Sequence, residues 1–71
     1  MSTTLRARAI ARLDEAEATL ERAKAAYLAA LEARDIATRR ATFVEYDAAL
    51  VAKSVAIRNE ARVARVEEAT R

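Results

Sequence analysis

Not one of the 71 residues is glycine or proline. Glycine supplies the left-handed turn conformations and the phosphate-cradling loops, and proline marks linkers and stiff turns. A chain without either is left with long uninterrupted elements and few ways to reverse. Cysteine and histidine are also absent, which excludes disulfides, thiolate sites, the commonest zinc ligand and the usual general base. A chain of this size buries about 60% of the surface its unfolded form exposes, so it is marginal unless something else covers it. With disulfides and histidine-bound metal excluded, oligomerisation or a partner is the expected source of that cover.

Between Thr4 and Arg34 the chain is almost entirely Ala, Leu, Glu and Arg, with Ile10 and Thr19 its β-branched interruptions inside the run. Summed propensity over such a window is strongly helical. Ser2, Thr3 and Thr4 offer N-caps. Leu13, Leu20 and Tyr27 recur every seven residues, and Ala9, Ala16, Ala23 and Ala30 recur every seven between them. Large residues at one seam position and small ones at the other allow two helix backbones to approach closely. A second helix has its own start signal in Thr42-Phe43-Val44-Glu45, which fits the S/T-x-x-E capping box. The expected organisation is a single all-α domain, an antiparallel two-helix hairpin. Its helices span about 4–34 and 42–70, with a connection over about 35–41.

An antiparallel register follows from pairing the large residues: Leu20 with Ile57, Tyr27 with Leu50, Leu31 with Tyr46, Leu13 with Ala64 and Ala16 with Ala61. The expected hairpin core is therefore Leu13, Leu20, Tyr27, Leu31, Phe43, Leu50 and Ile57. The rival is one unbroken helix of about 105 Å, since the first register also runs on through Ala37, Ala41, Val44, Ala48, Val51 and Val55. That rod leaves Phe43, Leu50 and Ile57 outside its seam.

The second helix carries a further apolar stripe, Val44, Ala48, Val51, Val55 and Val66. At about 25 cal/mol per Å² of apolar surface, hiding this stripe against a copy of itself is worth several kcal/mol. Two hairpins joined there make a four-helix bundle with two-fold symmetry. The stripe is thus the expected dimer or partner interface.

The charge balance is nearly even, with 13 Lys plus Arg against 11 Asp plus Glu. Eleven of the basic residues are arginine, the better residue for bidentate pairing and protein interfaces. Arg58, Arg62 and Arg65 form a ridge that the register above places near Asp14, Glu17 and Glu21. Arg39 and Arg40 fall at the hairpin tip beside Tyr46 and Phe43, a mix of charge and aromatic surface common at interaction hot spots. These five arginines and Tyr46 are the candidate partner contacts; Arg6, Arg8 and Arg12 form a further basic cluster. Asp14, Glu17 and Glu21 share a helix face but have no matching carboxylates opposite, so a salt-bridged surface is expected there and no metal. No nucleophile has a base to activate it, so neither catalysis nor a cofactor is expected. No apolar run is long enough to cross a membrane, and Met1–Leu13 lacks the apolar core of a signal peptide, so a cytoplasmic protein is expected. Nucleic acid is not the expected partner, because the basic excess is small; a small dimeric nucleic-acid-binding protein is the third reading, behind a protein-binding inhibitor and a structural connector.

Leu5-Arg6-Ala7-Arg8-Ala9-Ile10-Ala11-Arg12 and Ala25-Ala26-Tyr27-Leu28-Ala29-Ala30-Leu31 resemble segments of small early proteins of Mu-like bacteriophages that infect Pseudomonas. The resemblance extends over most of the chain in size and pattern. That family includes glycine-poor helical hairpins that dimerise and act as quorum-sensing anti-activators, binding a LuxR-type transcription regulator and the ATPase motor of the type IV pilus. The resemblance implies a phage-encoded inhibitor in the host cytoplasm, whose partners are a second copy and a host protein such as a transcription regulator. Tyr27-Leu28-Ala29-Ala30-Leu31 followed by Tyr46-Asp47-Ala48-Ala49-Leu50 is also similar to the phage head–tail joining proteins of the gpW type, which implies a structural virion connector. That family places a glycine-containing β-hairpin between its helices, and the interval here has no glycine.

Overall fold

The structure, a computed structural model, describes residues 4–70. Two helices follow one another, α1 (Leu5–Ala33) and α2 (Ile36–Ala69), and they pack against each other as a hairpin. No strand is present among the described residues.

Thr4 caps α1: its hydroxyl accepts the Ala7 N–H at 3.0 Å. The other two cap candidates, Ser2 and Thr3, lie outside the described residues. The turn is shorter than expected, two residues in place of seven. Arg34 adopts the left-handed conformation (φ 58°, ψ 27°), and its N–H donates to the Leu31 carbonyl at 3.3 Å. Asp35 then starts α2. Its carboxylate accepts the Ala37 N–H at 3.1 Å, the Thr38 N–H at 3.3 Å and the Thr38 hydroxyl at 2.7 Å. The acidic cap takes up two free N–H groups of the helix start and is fixed by the Thr38 hydroxyl, and aspartate is a better cap than threonine. Thr42 is accordingly inside α2, where its hydroxyl donates back to the carbonyls of Thr38 and Arg39. The segment 36–41, expected as connection, is helix.

Because the reversal comes earlier, the facing register slides by about one turn toward the start of α2. Tyr27 meets Phe43 and Tyr46 rather than Leu50, with ring centroids 5.7 Å apart in each pair. At the open end, the Arg6 N–H donates to Glu67 Oε1 at 3.2 Å, and the Arg6 guanidinium lies 3.9 Å from Glu60. A carboxylate from the end of α2 thus sits at the start of α1, where the helix dipole favours it.

The α1 side of the seam follows the alternation of large and small residues. Ala9, Leu20 and Ala30 are buried, and Leu13, Ala16, Ala23 and Tyr27 are half-buried. On α2, Ala49 is buried and Thr42, Tyr46, Lys53, Ala56, Asn59, Glu60, Val63, Ala64 and Glu67 are half-buried. The core expectation is corrected there. Phe43, Leu50 and Ile57 are 54%, 43% and 47% exposed, and Leu31 is 38% exposed. Alanines spaced by seven let the facing helix come close, and the α2 row that enters runs through Tyr46, Lys53, Glu60 and Glu67 with Ala49 and Ala56 beside it; Phe43, Leu50 and Ile57 fall on the flank.

The hairpin measures 54 × 22 × 12 Å with a radius of gyration of 16.1 Å. A compact chain of this length has a radius of about 11 Å. The thinnest dimension is that of one helix, so this is a single layer where a domain ordinarily has two.

Candidate protein-interaction surface

A single layer leaves both of its broad faces outside the core. Among the described residues four are buried, three of them alanine, while twelve large apolar residues are exposed. The molecule's accessible surface is 5672 Å², about 1,300 Å² more than a compact monomer of 7.8 kDa presents.

One broad face is a shallow trough floored by small residues. Ala16, Thr19, Ala23 and Ala26 of α1 and Ala48, Ala49, Ala52 and Ala56 of α2 line two adjoining hollows of about 500 and 520 Å³. The rim carries Arg12 and Glu15 at one end and Arg22 and Glu45 at the other. The opposite face carries large side chains. Leu28, Phe43 and Leu50 surround Tyr27 and Tyr46 there, with Lys24 and Asp47 at the edge. Ile57 continues this face one heptad beyond Leu50.

The stripe Val44, Ala48, Val51, Val55 and Val66 lies on the outward side of α2, away from the seam. Val44, Val51, Val55 and Val66 are each more than half exposed. Ala48 and Val55 border the trough, whereas Val44 lies at the turn end with Arg39, Arg40, Tyr27 and Phe43. The structure therefore brings Arg39 and Arg40 to the aromatic cluster, with Tyr46 beside them in the neighbouring hollow. Arg58, Arg62 and Arg65 are exposed on α2. Arg62 donates to Asn59 Oδ1 at 3.0 Å. Among the described residues, none of these three arginines pairs with Asp14, Glu17 or Glu21; the cross-hairpin ion pair is Arg6 with Glu60. The ridge lies on the outward side of α2, opposite the seam residues Ala56, Glu60, Val63 and Glu67, and so does not face α1.

The sequence reading passed over Lys53, Glu60 and Glu67 as seam residues. Their signal was the seven-residue spacing from Tyr46, parallel to Ala49 and Ala56. Charge at those positions is compatible with packing because long side chains cover apolar surface with their stems and keep the charged end in water.

No polar or charged side chain is buried among the described residues, and no group of three carboxylates comes together there to hold a metal ion. Asp35 has its carboxyl held below its ordinary value, chiefly by the Thr38 hydroxyl and also by backbone N–H groups, which is the signature of a helix cap. No helix among the described residues is long and apolar enough to cross a membrane. What this surface offers is shape and apolar area. Comparison with protein-family models, with curated proteins and with solved structures gave no match for the chain.

Proposed function

We infer that this chain is a non-enzymatic protein-binding module that works as a two-fold dimer of hairpins, a four-helix bundle. The observation that carries the reading is the uncovered area, about 1,300 Å² beyond that of a compact monomer. A stable interface takes about 800 Å² from each partner. One broad face of the layer goes to the second copy and the other surfaces go to a different protein. The turn end, with Arg39, Arg40, Val44 and the aromatic cluster, is the surface assigned to that protein, since arginine and tyrosine dominate binding hot spots. The likeness to small Mu-like phage proteins supports a host regulatory protein, such as a LuxR-type transcription activator, as its class.

Light scattering combined with small-angle X-ray scattering tests the dimer: the expected mass is twice 7.8 kDa, in a particle close to the hairpin's 54 Å length. A monomer, or a rod of about 100 Å, overturns it, and a ring selects the virion-connector reading. The inhibitor reading is tested by co-expressing the chain with a LuxR-type activator and its reporter. Reporter output is expected to fall with the native chain and to recover with Arg39→Glu/Arg40→Glu; unchanged output with the native chain overturns it.

A further inference from the structure

The two broad faces differ in what they can receive, and the face with large side chains has a pattern that fits itself. Lys24 lines this face, and the seven-residue spacing places Ile10, Glu17 and Leu31 of α1 in the same row. The corresponding row on α2 is Phe43, Leu50, Ile57 and Ala64. We propose that a second copy of this chain covers this face, antiparallel to the first, about a two-fold axis that crosses the middle of the helices at right angles. This rests on the dimer reading above and names its surface and its orientation.

The axis lays α1 on α1 and α2 on α2, each reversed. Ile10 then meets Leu31 of the second copy, and Glu17 meets its Lys24. On α2, Leu50 meets Ile57, and Phe43 meets the small Ala64. Each contact is complementary: apolar on apolar, acid on base, large on small. The other two-fold arrangement, with the axis along the helices, lays α1 on α2. It sets Glu17 against the apolar Leu50–Ile57 row, which costs desolvation, and gives Lys24 alone an opposite charge on this face, Asp47. Area agrees with the choice of face. Ile10, Leu31, Phe43, Leu50 and Ile57 are 38–54% exposed in the single hairpin, large enough to form a second seam and free to do so. The valine stripe, the face expected from sequence to self-associate, then stays outside the bundle.

The chain has no cysteine, so engineered pairs read the interface directly. Mixing Leu50→Cys with Ile57→Cys protein under mild oxidation is expected to give a cross-linked dimer in high yield. Val51→Cys mixed with Val55→Cys is expected to give none. A scattering dimer that cross-links through Val51 and Val55 overturns this proposal and leaves the dimer itself standing, whereas a monomer in scattering removes both. Cross-linking of Lys24→Cys to Leu50→Cys selects the axis along the helices and overturns the orientation. Should a cysteine variant fail to fold, charge reversal gives the same answer. Glu17→Lys or Lys24→Glu alone is expected to weaken dimerisation about tenfold, because each places like charges together at two symmetric points, and the double reversal is expected to restore it. Equal dissociation constants for the single and double variants overturn the pairing.

Discussion

Replacing Arg34 with glycine tests how the hairpin reverses. Arg34 holds φ at 58° and ψ at 27°, a conformation that costs a residue with a Cβ about 1–2 kcal/mol and costs glycine nothing. Part of this is returned, because glycine gains freedom in the unfolded chain worth about 0.4–1 kcal/mol. The Arg34 side chain is exposed, so little else is lost. The net expectation for Arg34→Gly is a gain of about 0.5–1 kcal/mol, or a rise in Tm of about 2–8 °C for a chain of this length. Circular dichroism melts at one fixed protein concentration measure it, with Arg34→Ala as the control. Alanine keeps the Cβ and so keeps the strain, and its Tm should stay near that of the native chain. If alanine stabilises as much as glycine, the effect comes from loss of the arginine charge, and the argument from backbone conformation is refuted.

Ala49→Leu inserts a branched side chain into the seam at the buried residue of α2, where Ala49 is 5% exposed. It should destabilise by about 1–3 kcal/mol, measured by urea unfolding, and an unchanged midpoint would show that the helices are not in close contact there. Glu67→Ala removes the carboxylate that accepts the Arg6 N–H; a loss of about 0.5–1 kcal/mol is expected, with faster amide exchange in the first turn of α1. Asp35 titrates in the folded chain below its ordinary value of 3.8. Its stabilising contribution is therefore complete above that value and is lost as pH falls below it. Asp35→Asn keeps a capping side chain and removes the titration. The difference in Tm between native and variant should shrink as pH drops below 3.8, and a difference that stays constant would show that Asp35 carries none of the acid sensitivity.

The helical class, the α1 seam and the Thr4 cap follow from propensity and from one clean heptad pattern. α2 is harder because it carries several apolar rows, and the row with the largest residues is not the one that faces α1. The row that enters the seam set by Ala9, Ala16, Ala23 and Ala30 runs through Tyr46, Lys53, Glu60 and Glu67 with Ala49 and Ala56 beside it, while Phe43, Leu50 and Ile57 fall on the flank. The register error had a separate, local cause. A threonine capping box at Thr42 and an aspartate at Asp35 both mark helix starts, and the aspartate gathers three hydrogen bonds. A non-glycine residue in the left-handed region leaves almost no trace in composition, so the two-residue turn was concealed by the absence of glycine.

The aromatic cluster beside that turn also sets an order of events. Tyr27 and Phe43 close a short loop, whereas Arg6 and Glu67 are 61 residues apart. The entropy of joining the nearer pair is smaller by about 1.2 kcal/mol, and the two aromatic pairs there each add about 0.5–1.5 kcal/mol. Zippering should start at the turn and run toward the open end. Substitutions of Tyr27 or Tyr46 should then slow folding, and those of Ala9 or Val63 should mainly speed unfolding, a pattern that stopped-flow φ-values can reverse. Native-state amide exchange should follow the same gradient, slowest beside the turn and fastest at the open end of the hairpin.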